Sequence, residues 1–457
     1  MQNWLTGALG YIPRWLEHQM RISEQPGCAI AVTHRGKVVL ERAFGHANLA
    51  TGEKLTPRHR FRVASHSKTF TAAGILKLRE ADRLRLDDPV GRYVDGLHPA
   101  VATATIGQVL SHSAGLVRDG ADSGQWQDRR PFLDQAELRS GLAEPPVLPA
   151  GTRFKYSNHG FGLLGLVIES VTGRPYRDWI RRTVVARAGL GETEPDVPVP
   201  DGAPMVSGHS GKLPLGRRLV VPGGNDTRAL SSATGFVSTA GDLARFFASL
   251  DPAARRSVLT PGSRREMVRR QWSDAHSSLD RHYGLGLILG KVDDWEWFGH
   301  SGGFQSCISR TVVLPGRELA VSVLTNAVDG FAHQWSEGIV RILRGYEKRG
   351  GPTARTRDWS GRWWTLWGVV DLVPVRDHVL VAAPGMVNPF QDASEIAVTG
   401  PDAGTIRLAG GFANHGETAR LVRDGDGRVA EVWLGGGKYL PEAAIAEELV
   451  RRYDRSS

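Results

Sequence analysis

Ser65-His66-Ser67-Lys68 sets a hydroxyl and an amine three residues apart at the head of a helical pattern. On a helix, that spacing brings both side chains to one face, a turn apart. A serine hydroxyl attacks only when a base removes its proton, and a lysine amine can do so once burial or nearby cations depress its pKa. The pair therefore outlines an acylation site. By itself it describes equally well a surface serine beside a solvated lysine, so the rest of the chain must supply the partners that acyl transfer needs.

Two further patterns then matter. Tyr156-Ser157-Asn158 is the chain's single Tyr-x-Asn; it follows a Pro- and Gly-rich run, 145–151, and precedes an apolar helical stretch, 161–171. His300-Ser301-Gly302-Gly303 follows the aromatic strand-like run Trp295-Glu296-Trp297-Phe298 and leads into an extended run, 304–314. Around the first pattern, apolar spacing from Thr69 to Glu80 predicts a helix, and Arg62-Val63-Ala64 an extended approach to it. Ser65 then lies at or near a helix N-terminus, where free N–H groups and a partial positive charge suit both a nucleophile and a developing oxyanion.

Gly299-His300-Ser301-Gly302-Gly303 also fits the Gly-x-Ser-x-Gly nucleophile elbow, which requires a helix directly after its serine. The residues that follow are β-rich and run into the turn Pro315-Gly316, which argues against Ser301 as the nucleophile. A second His-Ser-Gly, at 209–211, stands among turn residues and is expected to be loop with no strand to position it.

The 457 residues, 41% hydrophobic and 23% charged, allow two or three domains with a large core. Cys28 and Cys307 are the only cysteines and fall in apolar runs, so buried free thiols are expected rather than a disulfide framework. A formal charge of +9 is spread over scattered arginines without a basic helix, zinc spacing or RNA-binding aromatics. That pattern points to a solvated surface with no nucleic-acid partner, an attraction for anionic substrates being the alternative. No His-Glu-x-x-His, paired Cys-x-x-Cys or P-loop is present, so neither metal nor nucleotide cofactor is expected. The first twenty residues are too broken by Gly7, Gly10 and Pro13 for a signal peptide or membrane span. Trp4, Leu5, Leu9, Ile12, Trp15 and Leu16 form instead a face that would pack on the domain. No membrane partner and a cytoplasmic location are expected, or a periplasmic or secreted one if the start is a mature end.

Strands are predicted at Cys28 to Thr33 and Lys37 to Phe44 about Arg35-Gly36, and at 283–289, 294–298, 305–314 and 318–324. Helices are predicted at 242–250, capped by Thr239 or Gly241, and at 335–346. After Glu347 to Pro352 the texture changes to short alternating runs with a turn every ~10 residues. The domains read as 1–347, a linker at 348–355 and a small β-barrel at 356–457, the barrel stabilising, oligomerising or gating substrate.

Ser-x-x-Lys, Tyr-x-Asn and His-x-Gly in this order resemble the serine β-lactamase and penicillin-binding-protein superfamily. The likeness is to its class C β-lactamase, D-Ala-D-Ala carboxypeptidase, D-aminopeptidase and family VIII esterase branch. It covers roughly residues 15 to 345 and includes Leu110 to Leu116 and Gly235 to Leu243. The resemblance implies an α/β fold: an antiparallel sheet flanked by helices with an all-α subdomain, followed here by a lipocalin-like barrel. It implies Ser65 as acyl-forming nucleophile, Lys68 and Tyr156 sharing proton removal, and the Ser65 and Gly303 amides as oxyanion hole. Substrate binding falls to Asn158, His300, Ser301 and Gly302, with His300 bonding Tyr156 or a substrate carboxylate. A Lys68 ammonium would favour the Tyr156 phenolate. Pocket walls are expected from 117–132 and 209–225. Where class C β-lactamases show Lys-Thr-Gly this chain has His300-Ser301-Gly302, which points away from β-lactam turnover and toward a small-molecule or short-peptide amide, D-configured residues included. A carboxylic-ester hydrolase, a weak β-lactamase and a non-catalytic sensor are the alternatives, and a homo-oligomer is compatible with the resemblance.

Overall fold

Arg35 and Gly36 both adopt positive φ, at 54° and 73°, and so close a hairpin between strands Gly27–His34 and Lys37–Asn48. Gly27–His34 is buried at nearly every position because strands flank it on both sides: Lys37–Asn48 on one, Leu319–Thr325 on the other. The sheet continues antiparallel through Cys307–Leu314, Trp295–Phe304, Ile288–Val292, His282–Tyr283 and Trp272–Ser273, and Glu53–Lys54 forms its other edge. The chain's first strands thus lie beside strands some 290 residues later, in register Cys28 to Thr325.

In this computed structural model, residues 2–213 and 215–454 are described, and they cluster into two units: 25–336, and the segment up to 24 together with residues from 337 onward. In the first unit, helix Ser67–Glu80 is buried along most of its length. It is surrounded by Asn158–Thr172, Tyr176–Ile180 and Ala240–Ser249, with Ile106–Leu110 and Gln135–Leu142 completing the all-α part. Local signals set several helix starts: Thr105 and Asp134 form capping boxes with Gln108 and Glu137, and Thr239 accepts from the Asp242 amide.

Two expected elements differ. The strand predicted over 283–289 is two short strands, His282–Tyr283 and Ile288–Val292, separated by a turn. Gly286, at φ 67°, lets that turn sit against the Lys68 carbonyl and Ala72, and its own oxygen accepts from Thr69 Oγ1 at 2.8 Å. Tertiary docking on the central helix overrides the apolar pattern there. The second His-Ser-Gly is not free loop: His209 belongs to a two-residue strand paired with Val220–Val221, is fully buried, and receives the Leu49 amide at Nε2.

The second unit holds an up-and-down array of eight strands from Gly361–Thr365 to Gly437–Tyr439. Reciprocal backbone bonds between Trp364 and Leu440, 2.8 and 2.9 Å, nearly close it into a barrel around Trp359, Leu372, Val379, Ile396 and Val432. Helix Asn3–Ser23 belongs to this unit: Tyr11 stacks on Phe390 at 5.7 Å and Trp15 Nε1 donates to the Met386 carbonyl at 3.1 Å. Its buried face includes Leu5, Ile12, Trp15 and Leu16, four of the six residues that mark it in the sequence. The helix Ala332–Arg349 contains both the unit break at 336 and the start of the stretch read as linker. Among the described residues no helix is long and apolar enough to cross a membrane.

Candidate active site

Ser65 sits in a single turn, Ala64–His66, that leads directly into helix Ser67–Glu80. Ala64 holds φ at 46°, a region unfavourable to side-chain-bearing residues and tolerated best by a small one. The turn is braced from three sides. Short strands Phe61–Arg62 and Val237–Ser238 pair, the Val63 amide donates to Phe236 O at 3.0 Å, and Ser67 Oγ donates to Ala64 O and accepts the Phe236 amide. Arg62, fully buried, is paired with buried Asp196 at 2.9 Å and lies over the Phe304 ring. His66, depressed to about 3 by burial, is neutral and bridges Val63 O and Thr311 Oγ1.

Lys68 Nζ lies 3.0 Å from Ser65 Oγ, 2.7 Å from Asn158 Oδ1 and 2.9 Å from Ala233 O. Burial pushes its pKa well below the ordinary lysine value; Asp119 opposes that shift and Arg118 adds to it. A neutral amine has two N–H bonds and one lone pair. Ala233 O and the oriented Asn158 Oδ1 can only accept, so they take both hydrogens and leave the lone pair to Ser65 Oγ. The Ala233 carbonyl comes from a π-turn, Ser231–Gly235, that the sequence patterns do not reveal.

Tyr156 stands just before the Ser157 cap of helix Asn158–Thr172 and lines the cleft with Ser65. Burial is the largest influence on its phenol and raises its pKa; Ser65 and Arg118 only partly offset it. The expectation that Lys68 would favour a phenolate runs against this environment: burial shifts the amine toward its neutral form and the phenol toward its protonated one. Lys68 Nζ lies 4.9 Å from the Tyr156 ring centroid.

His300-Ser301-Gly302-Gly303 lies inside strand Trp295–Phe304, not after it, with Ser301 opposite Arg310 on the adjoining strand. No helix follows Ser301, so the nucleophile-elbow geometry is absent there. His300 does not bond Tyr156. Its Nδ1 is 2.7 Å from the Ser301 carbonyl and 3.0 Å from the Ser301 amide, and its Nε2 shares a hydrogen bond with Tyr283 Oη at 3.0 Å. Burial above all holds the pKa of this imidazole well below the ordinary histidine value. Tyr283 was hidden from sequence reasoning because it lies in a two-residue strand. His112, from the Leu110 to Leu116 run, is a second such residue: Nδ1 accepts the Ser157 amide at 3.1 Å and its ring lies 4.1 Å from that of Tyr156.

A Cβ on Gly302 would stand 2.1 Å from Val63 O, so the strand passes hard against the Ser65 turn. We expect Gly302→Ala to force the two apart, lowering stability by about 3 kcal/mol or more, visible as a lower thermal midpoint, and slowing Ser65 acylation with it. Gly303, exposed, has no such clash, with Ile308 at 3.7 Å from a built Cβ.

Seven of the eight residues singled out line one cleft of about 410 Å³; the eighth, Lys68, is buried beneath Ser65. Arg118 and Trp126 come from the expected 117–132 wall. No described residue of 209–225 lines it; Ile288, Ile308 and His333 do instead. Cys28 and Cys307 are free and buried, the latter raised to about 11 by burial. Among the described residues no three metal-ligating side chains cluster.

An antiparallel sheet with an all-α part, and a cleft where Ser-x-x-Lys, Tyr-x-Asn and His-x-Gly converge, are the architecture and motif set of the β-lactamase-like class. The Beta-lactamase family profile matches residues 12–340, and the chain belongs to that family. Penicillin-binding protein 4 of Amycolatopsis lactamdurans is 29% identical over 356 residues, 70% of this chain and 85% of that protein. The octameric penicillin-binding protein homologue from Pyrococcus abyssi has a similar fold, with TM-score 0.66 and 21% identity over 94% of this chain and 99% of that one. A D-stereospecific amidohydrolase from Streptomyces sp. superimposes with TM-score 0.59 and 23% identity, covering 74% of this chain and 98% of that one. The chain spans about a third of the length of the Staphylococcus aureus flp proteins, which are 30% identical over 173 residues, or 37% of this chain.

Proposed function

We propose that this protein hydrolyses an amide or short peptide, with D-configured residues accepted, through an acyl-enzyme on Ser65. The observation that carries the reading is the three-way coordination of Lys68, which commits both amine hydrogens to acceptors and aims the lone pair at Ser65 Oγ. Lys68 takes the Ser65 proton as Oγ attacks the carbonyl carbon. The resulting ammonium has three hydrogens for the same three oxygens, so the charge arises in a site already built to receive it. The Ser65 and Gly303 amides face the oxyanion. The protonated Tyr156 phenol, which shares the cleft with Ser65, gives its proton to the leaving nitrogen, and Lys68 restores it. Water then attacks the ester with Lys68 again as base, releasing the acid and Ser65. Asn158, Ser301 and Gly302 position substrate, and the neutral His300–Tyr283 pair shapes the floor of the site.

The fold shared with a D-stereospecific amidohydrolase supports the D-residue reading. The neutral imidazole at 300 weighs against efficient β-lactam turnover, since no permanent cation stands at that position. An octameric relative supports a homo-oligomeric state as a further proposal. The test compares turnover of D-aminoacyl amides, short acyl esters and a chromogenic β-lactam, with intact mass recorded for each. Amide turnover above the other two, with a Ser65 adduct, is expected. Ester turnover with inert amides would replace this reading by the esterase one, and peptide binding without any adduct by a sensor.

A further inference from the structure

Asp119 is 9% exposed and receives three donors. Asn158 Nδ2 reaches its Oδ1 at 2.6 Å, Trp126 Nε1 the same oxygen at 2.9 Å, and Arg118 Nε its Oδ2 at 3.2 Å. A carboxylate only accepts, so it decides which end of the Asn158 amide faces it. With Nδ2 turned to Asp119, Oδ1 must face Lys68. Were the amide reversed, its NH2 would meet Lys68 Nζ, and the amine lone pair would be drawn to that donor and away from Ser65.

We propose that Asp119 is a positioning residue for Lys68: it locks the Asn158 amide so that the lysine lone pair is left to Ser65, and Arg118 caps it from outside. This rests on the reading of Lys68 as the base. Holding the loop is not what the carboxylate is needed for. Ser157 Oγ already donates to Val117 O at 2.6 Å and the Asn158 amide to Arg118 O at 2.9 Å, which dock residues 117 and 118 on the helix start by backbone acceptors alone.

The same pair supplies the formal charges acting on Lys68. The other titratable groups facing it are Tyr156, whose phenol burial keeps protonated, and His112 and His300, held neutral by burial, with His66 behind His300 also neutral. Asp119 favours the lysine ammonium and Arg118 disfavours it. If Lys68 is the base, acylation switches on as pH rises through its pKa. Removing the carboxylate then moves this acid limb to lower pH, and removing the guanidinium moves it to higher pH, each by up to about one unit.

The experiment follows covalent labelling of Ser65 by a fluorophosphonate probe, with rate constants taken from intact mass over roughly pH 5 to 10. Wild type is compared with Asp119→Asn, Arg118→Gln and Asp119→Glu. Expected are a roughly tenfold slower rate with an acid-shifted limb for Asp119→Asn, an alkaline-shifted limb for Arg118→Gln, and a limb near wild type for Asp119→Glu. A purely structural role would slow labelling without moving the limb. Unmoved limbs, or shifts in the same direction for the two charge-removing variants, would overturn the proposal. Should Asp119→Asn fail to fold, Arg118→Gln decides, since that side chain is 65% exposed. Absence of Ser65 labelling in wild type would instead defeat the acyl-enzyme reading itself.

Discussion

Ser65→Ala is expected to remove the covalent adduct and to lower turnover by about 10⁴-fold or more, because the nucleophile and its activating base act as one unit. Three serines near the site compete for the role, and their surroundings separate them. Ser65 Oγ meets Lys68 Nζ at 3.0 Å and lines the cleft together with Tyr156. Ser67 is fully buried, and its hydroxyl is committed to Ala64 O and the Phe236 amide. Ser301 lines the cleft but sits mid-strand, opposite an arginine and beside an imidazole whose Nδ1 faces the backbone. Ser67→Ala should therefore lower the thermal midpoint by loosening the turn while the adduct still forms, and Ser301→Ala should leave the adduct mass in place. An adduct persisting in Ser65→Ala, found by peptide mapping at another serine, would end the assignment. Circular dichroism on the same variant separates loss of the nucleophile from loss of the fold, and little loss of fold is expected, since a half-buried hydroxyl at a turn contributes about 1 kcal/mol.

What was legible in the sequence is what short-range rules encode. Spacing on a helix start pointed to Ser65 and Lys68, and the resemblance of the three motifs in order to the β-lactamase superfamily brought in Tyr156, Asn158 and His300. The hairpin at Arg35-Gly36, a cap at Thr239 or Gly241 and the alternating, turn-punctuated texture after 352 follow from turn and cap chemistry in the same way. Hidden were the contacts made across long separations. Ala233 O and Asp119 reach Lys68 and Asn158 from loops with no motif of their own. Tyr283 stood in a stretch whose apolar pattern read as one strand, because docking of Gly286 on the central helix leaves no local mark. The protonation states were also out of reach. Sequence left open a burial-depressed lysine amine and a lysine ammonium favouring a phenolate, and burial, a property of the folded core, shifts both groups toward their neutral forms.

Lys68→Met tests that neutrality from two directions. Acylation of Ser65 should fall by about 10²- to 10⁴-fold, the usual contribution of a positioned base, and Lys68→Arg should not rescue it, since a guanidinium stays protonated at any working pH. Stability supplies the second readout. The folded-state pKa of Lys68 lies below its unfolded value, so between the two the unfolded chain binds a proton that the native site does not. Wild-type stability therefore rises with pH across that window and falls as pH drops from about 10.5 toward the depressed value. Methionine has no proton to bind. Whatever offset arises from leaving Asn158 Oδ1 and Ala233 O without their donor, the difference between variant and wild type must move in the variant's favour as pH falls through the window. Denaturant melts at several pH values measure this directly. A stability difference independent of pH would mean that Lys68 keeps an ordinary lysine pKa, and would remove it as the base whatever the activity of the variant.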